Sequence, residues 1–187
     1  MKKNGLLILF LAFLSFAQIF GKSEFRYVWQ KSNLFCYSKQ VNQTNERNAF
    51  HEAGHALMAN LVGFKIKKAT INPKGDAAGY VNFSYHEDKL DELIMVDLAG
   101  YVAEELTFKK ACYGVRDDLD KATQICFDLK GNGGYNFLQK QLDKTRSIIY
   151  QNQDKLNNIA RKLKKNLTLS GKNIENIIRD TNMSQVA

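Results

Sequence analysis

Two histidines four residues apart, His51 and His55, lie in a segment whose apolar residues recur at helical spacing. The segment runs from about Asn45 to Val62, and Gly63 follows it as a suitable C-terminal stop. Its apolar face consists of Ala49, Phe50, Ala53, Leu57, Leu61 and Val62. Because residues i and i+4 share one side of a helix, both imidazoles can reach a single point in space. The pattern therefore predicts a core-packed helix that holds two nitrogen ligands side by side.

Glu52 completes the HExxH motif between these histidines. In this motif the two imidazoles bind Zn²⁺, and the glutamate takes a proton from zinc-bound water and passes it to the leaving amine. The alternative is a surface helix with two ordinary histidines. That alternative loses weight because the motif lies inside a strong amphipathic pattern and uses two of the chain's three histidines. We therefore expect a zinc site with Glu52 as the catalytic base.

The third zinc ligand is not fixed by the motif. A catalytic zinc takes three protein ligands and keeps one open position. The longer HExxHxxGxxH pattern fails, because Met58 and Leu61 stand where glycine and histidine are needed. His86, in a polar turn, is a poor candidate. We expect a carboxylate, and spacing does not choose among Glu92, Glu104, Glu105, Asp117, Asp118 and Asp120.

The remaining pattern predicts a mostly helical α+β domain with one small β-sheet. Two short strands, at residues 69–71 and 80–83, flank a turn region that contains Pro73, Gly75 and Gly79. Helical periodicity covers residues 88–108, residues 117 to about 130, a long stretch over 137–165, and residues 171–180.

The first 21 residues have the layout of a secretory signal, because Lys2 and Lys3 precede an apolar run from Gly5 to Phe20. Such a run, as a helix, reaches roughly 24 Å and is short of the ~30 Å hydrocarbon core. We therefore expect residues 1–21 to be a signal peptide or short membrane anchor, residues 22–44 a tether, and residues 45–187 the folded domain. This arrangement predicts a domain that is exported or membrane-anchored, on the non-cytosolic side.

The formal net charge is +8, and much of the excess lies between Arg161 and Lys165, late in a helical pattern. Cations near a helix C-terminus complement its dipole, so they need no partner to explain them. Nucleic-acid binding is not expected, because the basic residues are not interleaved with stacking aromatics. Affinity for an anionic membrane surface fits the apolar N-terminus better.

Cys36, Cys112 and Cys126 form an odd set with no CxxC pair. This argues against a zinc–thiolate knuckle. In an exported domain one pair could form a bridge, but buried free thiols are the default expectation. The sequence leaves the pairing open.

Four ordered segments resemble the peptidase domain of the FtsH-type membrane ATP-dependent zinc proteases, peptidase family M41. They are NERNAFHEAGHALM at residues 45–58, ATINPKG and AGYV within residues 69–81, LAGYVAEEL at residues 98–106, and GVRDDL followed by AT within residues 114–123. Residues 152–178 also fit the closing helices of that family. The resemblance covers about residues 45–180 and implies a zincin-type helical peptidase fold.

The resemblance also implies roles for particular residues. The family's third zinc ligand falls on Asp118, and an acidic residue that orients a ligand imidazole falls on Glu104. A solvated helix face is the alternative explanation for Glu104. The family's strand after the zinc helix binds substrate backbone by edge pairing, which places the groove edge at residues 78–83. The substrate-binding residues implied here are Gly79, Tyr80 and Val81.

The chain also departs from that family. FtsH-type proteases carry an AAA ATPase module before the peptidase domain, and no GxxxxGK[ST] motif occurs in these 187 residues. The segment before Asp118 differs from the family pattern at Cys112-Tyr113 and Arg116-Asp117.

The expected function is a zinc-dependent, ATP-independent endopeptidase that hydrolyses unfolded or flexible polypeptides by metal-activated water, with one Zn²⁺ per chain and no ATP site. The alternative is a non-catalytic relative that binds a partner protein, a separate ATPase or further copies of itself. The absence of an ATPase motif from these residues and the altered loops favour the alternative. The intact site favours the enzyme, because a binding module has no need to keep Glu52.

Overall fold

The computed structural model describes residues 45–74, 77–109 and 116–184, all within the compact unit Tyr37–Ala187. The expected signal or anchor at residues 1–21 and the tether at residues 22–44 lie outside the described residues, so both stay predictions. Among the helices that are described, none combines the length and apolarity needed to cross a membrane.

Six α-helices and three strands make up the described part of the chain. The helices are α1 (Asn45–Leu61), α2 (Leu90–Phe108), α3 (Arg116–Lys130), α4 (Gly134–Gln151), α5 (Gln153–Asn166) and α6 (Gly171–Ser184). The strands are β1 (Lys65–Thr70), β2 (Tyr80–Ser84) and β3 (Thr168–Ser170). The predicted fold class, mostly α with one small β-sheet, is confirmed.

The sheet is antiparallel, with strand order β2-β1-β3. Ala69 of the central strand pairs with Val81 on one side and with Leu169 on the other, and the register shifts between Ile66 and Lys68. The sequence did not predict β3, because a strand of three residues is too short to show a period of two. The first strand begins at Lys65, four residues before its predicted start.

Helices α1 and α2 pack against each other with almost no side chain between them. A Cβ atom at Gly54 would collide with the backbone oxygen of Ala99 and would lie 2.8 Å from the Cβ atom of Ala103. Ala53 of α1 is fully buried, as are Ala99 and Ala103 of α2. Small residues on both helices therefore set the short distance between the two backbones.

The predicted long helix over residues 137–165 is wrong, since α4 ends at Gln151 and α5 begins at Gln153. Asn152 adopts a non-helical backbone conformation between them, with φ −119° and ψ 26°. Its side-chain amide donates to the carbonyl oxygen of Ile148 at 2.8 Å, and its side-chain oxygen accepts from Lys155 at 2.7 Å. The side chain of Asn152 thus satisfies the Ile148 carbonyl, while its backbone N–H donates to the carbonyl oxygen of Ile149 at 3.1 Å. Hydrophobic periodicity continues across the break.

We expect Gly54→Ala to lower the free energy of unfolding by about 1–3 kcal/mol, because the added methyl overpacks the α1–α2 contact. Urea denaturation with a chelator present, so that zinc binding does not contribute, measures the change. Gly133→Ala is the matched control, because a Cβ there would meet only the Cβ of Lys130, at 3.8 Å. Equal stability of the two variants would contradict the close helix packing.

Candidate active site

Helix α1 carries His51, Glu52 and His55 within its contact with α2. The Nε2 atoms of the two histidines are 2.9 Å apart. Asp118, in the first turn of α3, brings its Oδ2 atom to 3.1 Å from Nε2 of His51 and 3.2 Å from Nε2 of His55. The other oxygen of Asp118 accepts from Lys121 at 3.3 Å. The structure therefore places two imidazoles and one carboxylate around a common point.

The separations of these three atoms suit a tetrahedral metal ion. Ligands bound to zinc at 2.0–2.1 Å with tetrahedral angles lie about 3.3 Å from one another. The separations of the three atoms in the structure, between 2.9 and 3.2 Å, are slightly shorter than this value, because the atoms contact one another directly. Two nitrogens and one carboxylate oxygen also form a donor set that zinc accepts, and it leaves one position open. His51, His55 and Asp118 are thus a group that can hold a metal ion.

Hydrogen bonds on the opposite side of each imidazole ring fix which nitrogen carries the proton. Nδ1 of His55 is 2.7 Å from the carbonyl oxygen of Val96, and Nδ1 of His51 is 3.0 Å from Oε1 of Glu104. Both partners are acceptors, so each Nδ1 must donate a proton. Each Nε2 lone pair is therefore available for a metal, in the arrangement common to metal-binding histidines.

Glu104 is not part of a solvated helix face, because only 3% of the residue is exposed. Its Oε1 atom faces His51, while Oε2 accepts from Nη1 of Arg47 at 2.9 Å. The Arg47 guanidinium also lies over the ring of Phe108, 4.4 Å from the centroid. Arg47 was not predicted from the sequence, although it stands four residues before His51 and so shares its helix face.

Gly100 of α2 lies directly against the two imidazoles. A Cβ atom there would collide with Nε2 of His55 and would lie 2.6 Å from Cε1 of His51. Sequence reasoning did not assign this role. The available signal was the run of small residues at helical spacing in α2, formed by Ala99, Gly100 and Ala103.

The predicted groove edge lies beside Glu52. Gly79 immediately precedes β2, and a Cβ on it would lie 2.7 Å from Oε1 of Glu52. Tyr80 and Val81 begin β2, which among the described strands pairs only with β1. The other edge of β2 is therefore free of any described partner strand. Glu52 itself is buried, with 6% of the residue exposed.

The remaining acidic candidates do not join this group. Both oxygens of Glu105 pair with Arg146, at 2.8 and 3.0 Å, and Asp120 lies 3.9 Å from Arg116. His86 and Asp117 are exposed. Cys126 is a buried free thiol, whereas Cys36 and Cys112 lie outside the described residues.

The site binds a proton strongly when it holds no metal. Burial opposes the charged imidazolium of His51, but hydrogen bonds to Asp118 and Glu104 outweigh it and raise the pKa of His51 to about 10. The histidines in turn hold the pKa of Asp118 below its usual range, although burial acts in the other direction. Burial raises the pKa of Glu52. With the Nε2 atoms in contact, one proton can occupy the space between the rings.

Residues 39–129 match the sequence model of peptidase family M41. The chain is 28% identical to ATP-dependent zinc metalloprotease FtsH 2 of Thermoanaerobacter sp. (strain X514), over 87% of this chain and 39% of the relative. It is 34% identical to FtsH 1 of Rhodopirellula baltica over 58% of this chain and 18% of the relative. It is 38% identical to the YME1 homolog of Schistosoma mansoni over 51% of this chain and 16% of the relative.

The resemblance to the peptidase domain of family M41 that was read from the sequence is confirmed over residues 39–129. This family implies zinc, which agrees with the group that His51, His55 and Asp118 form. The chain spans 39% of the length of the Thermoanaerobacter relative and less than a fifth of the other two.

We expect Glu104→Gln to weaken zinc binding by about 10–100-fold, because the imidazole of His51 loses its charged acceptor. Competition with a chromophoric chelator measures the affinity. Glu105→Gln is the matched control, since Glu105 pairs with Arg146 rather than with a ligand imidazole. A loss of the same size in both variants would mean that Glu104 acts only through general stability.

The metal-free protein should lose stability as the pH rises from about 6.5 to about 10. His51 has a raised pKa in the folded state, so its contribution is complete below the unfolded value and is lost as the pH passes the folded value. Urea denaturation in chelator at several pH values measures the slope. His51→Asn should flatten the slope, and the exposed-residue control His86→Asn should keep it. An unchanged slope in His51→Asn would contradict this assignment.

Proposed function

We propose that this domain is a zinc-dependent endopeptidase that cleaves unfolded or flexible polypeptides and needs no nucleotide for hydrolysis. The observation that carries the proposal is that Nε2 of His51, Nε2 of His55 and Oδ2 of Asp118 lie within 3.2 Å of one another. Glu52 directly follows His51 in the sequence. In this proposal His51, His55 and Asp118 hold the metal, and Glu104 orients the imidazole of His51.

When bound, zinc lowers the pKa of its water toward about 7 and polarises the substrate carbonyl. Glu52 is the group that moves the proton: its carboxylate takes the proton from the attacking water and gives it to the leaving amine. The raised pKa of buried Glu52 suits a carboxyl that must hold a proton between those two transfers. His51 and His55 keep their Nδ1 protons, because Glu104 and the Val96 carbonyl accept them throughout.

The position of β2 supports an extended substrate. A peptide that adds to the edge of β2 that no described strand occupies would form backbone hydrogen bonds along Tyr80 and Val81 and would pass Gly79 next to Glu52. Only a segment without competing secondary structure can pair in this way. Hydrolysis of a segment that is already extended needs no work from a nucleotide, which supports the ATP-independent step.

The names of the relatives describe ATP-dependent zinc metalloproteases. We therefore propose that folded substrates reach this site only with the help of a separate ATPase or a ring of further copies. Flexible substrates require neither partner.

Glu52→Gln should lower cleavage of an unfolded, fluorophore-labelled protein by at least about 100-fold, because general base catalysis is lost. The full chain is tested with zinc, with chelator, and with or without ATP. Zinc content, measured in parallel, should be unchanged in the variant. Glu46→Gln is the matched control, since Glu46 is an exposed glutamate of the same helix.

Two outcomes would contradict the proposal. Cleavage that survives in Glu52→Gln would point to a contaminating protease or another base. A folded, zinc-loaded wild-type chain that cleaves nothing would instead favour the non-catalytic module that binds a partner.

A further inference from the structure

Two lysines lie beside the first residue of the edge strand β2. Nζ of Lys68, which extends from the central strand β1, is 5.0 Å from the ring centroid of Tyr80. Nζ of Lys74, from the connection between the two strands, is 5.8 Å from the same centroid. Attraction between an ammonium and an aromatic face explains why both cations gather over this ring. Positive charge from two other parts of the chain is thereby brought to the edge of the sheet.

The strand register determines which side of the sheet these cations occupy. Tyr80 pairs with Thr70, and Asn82 pairs with Lys68, so the side chains of these residues share one face. The opposite face carries Ala69, which is fully buried. A peptide paired with β2 would present alternate side chains to the face that holds Tyr80 and Lys68.

No carboxylate within residues 45–74, 77–109 and 116–184 forms an ion pair with Lys68 or Lys74. The ammonium group of Lys68 beside the ring lowers the pKa of the Tyr80 hydroxyl, which is the direction that a nearby positive charge produces. The position is also close to the chemistry, because Tyr80 directly follows Gly79, the residue that lies against Glu52.

We propose that Lys68, Lys74 and Tyr80 form a cationic subsite that selects polypeptides with an aspartate or glutamate within about two residues of the cleaved bond. The inference rests on the proposed function, because it assumes that substrate pairs with β2. An acidic side chain on the Tyr80 face would lie among both ammonium groups. Each exposed ion pair changes an equilibrium by a factor of about 2–3, so the two together give an expected preference of about 3–10-fold.

The test uses two flexible peptides that differ only in acidic residues or their amides, Asp and Glu against Asn and Gln. Binding is measured by fluorescence anisotropy to the zinc-loaded Glu52→Gln chain, which does not turn the peptide over. Cleavage by the wild-type chain is measured separately, with the cut positions mapped by mass spectrometry. We expect the acidic peptide to bind and to be cleaved about 3–10-fold better, through KM rather than kcat, and less so at high salt.

Lys68→Gln combined with Lys74→Gln should bring the ratio between the peptides close to one and leave the amide peptide nearly unaffected. Lys65→Gln combined with Lys67→Gln is the matched control, because it removes two exposed lysines of the same strand and the same net charge. This control pair should keep the preference. Denaturation midpoints and zinc content check that every variant is folded.

The results separate this inference from the proposed function. A wild-type chain that cleaves both peptides equally and binds them equally would overturn the subsite and leave the peptidase intact. Selective binding of the acidic peptide without cleavage would support the subsite and overturn the peptidase. A preference that survives in Lys68→Gln/Lys74→Gln, or is lost equally in the control pair, would also overturn the subsite.

Discussion

The close contact between α1 and α2 is the constraint on which the site depends. Gly54 lies against the backbone of Ala99, and at that separation the imidazoles of α1 reach groups that belong to α2. Nδ1 of His55 meets the carbonyl of Val96, and Nδ1 of His51 meets Glu104. A bulkier pair of residues at the contact would move α2 outward and leave each ring without its acceptor. The small residues at the contact thus determine the orientation of the two ligand imidazoles, although they do not themselves bind a metal.

The site also depends on how buried charge is balanced. A chain of charged and ionisable groups crosses the α1–α2 contact: the guanidinium of Arg47 pairs with the carboxylate of Glu104, which pairs in turn with the imidazole of His51. Taking charges out of water is costly unless each has a well-placed partner, and each of these groups supplies the partner of the next. Asp118 adds a second carboxylate from α3 on the other side of the imidazoles. Without a metal, the two carboxylates retain a proton on the histidines, so metal and proton compete for the same atoms.

Much of this could be read from the sequence, because the helix that carries His51 and His55 has strong periodicity and a recognisable motif. The remaining parts depend on contacts between distant segments. Spacing leaves Asp118 as one of six acidic candidates for the third ligand, because nothing in its local sequence distinguishes a ligand from an exposed carboxylate. Only the family resemblance selects it. The Val96 carbonyl carries no side-chain signal that could mark its role, and Gly100 is marked only by the run of small residues around it in α2. The break at Asn152 is hidden from sequence analysis because hydrophobic periodicity runs through it, and the hydrogen bond from the Asn152 side chain to the Ile148 carbonyl leaves no trace in that periodicity.

The three residues of β3 have a consequence for the biosynthesis of this protein. The groups that surround the common point all lie between residues 47 and 118, yet α5 covers α1 and β3 completes the sheet through the pairing of Leu169 with Ala69. Contacts that join segments about 100 residues apart form late, because a long loop must first close. On the ribosome, the sheet is therefore completed only after residue 170 has emerged, so a nascent chain carries His51, His55 and Asp118 long before the sheet beside them is complete.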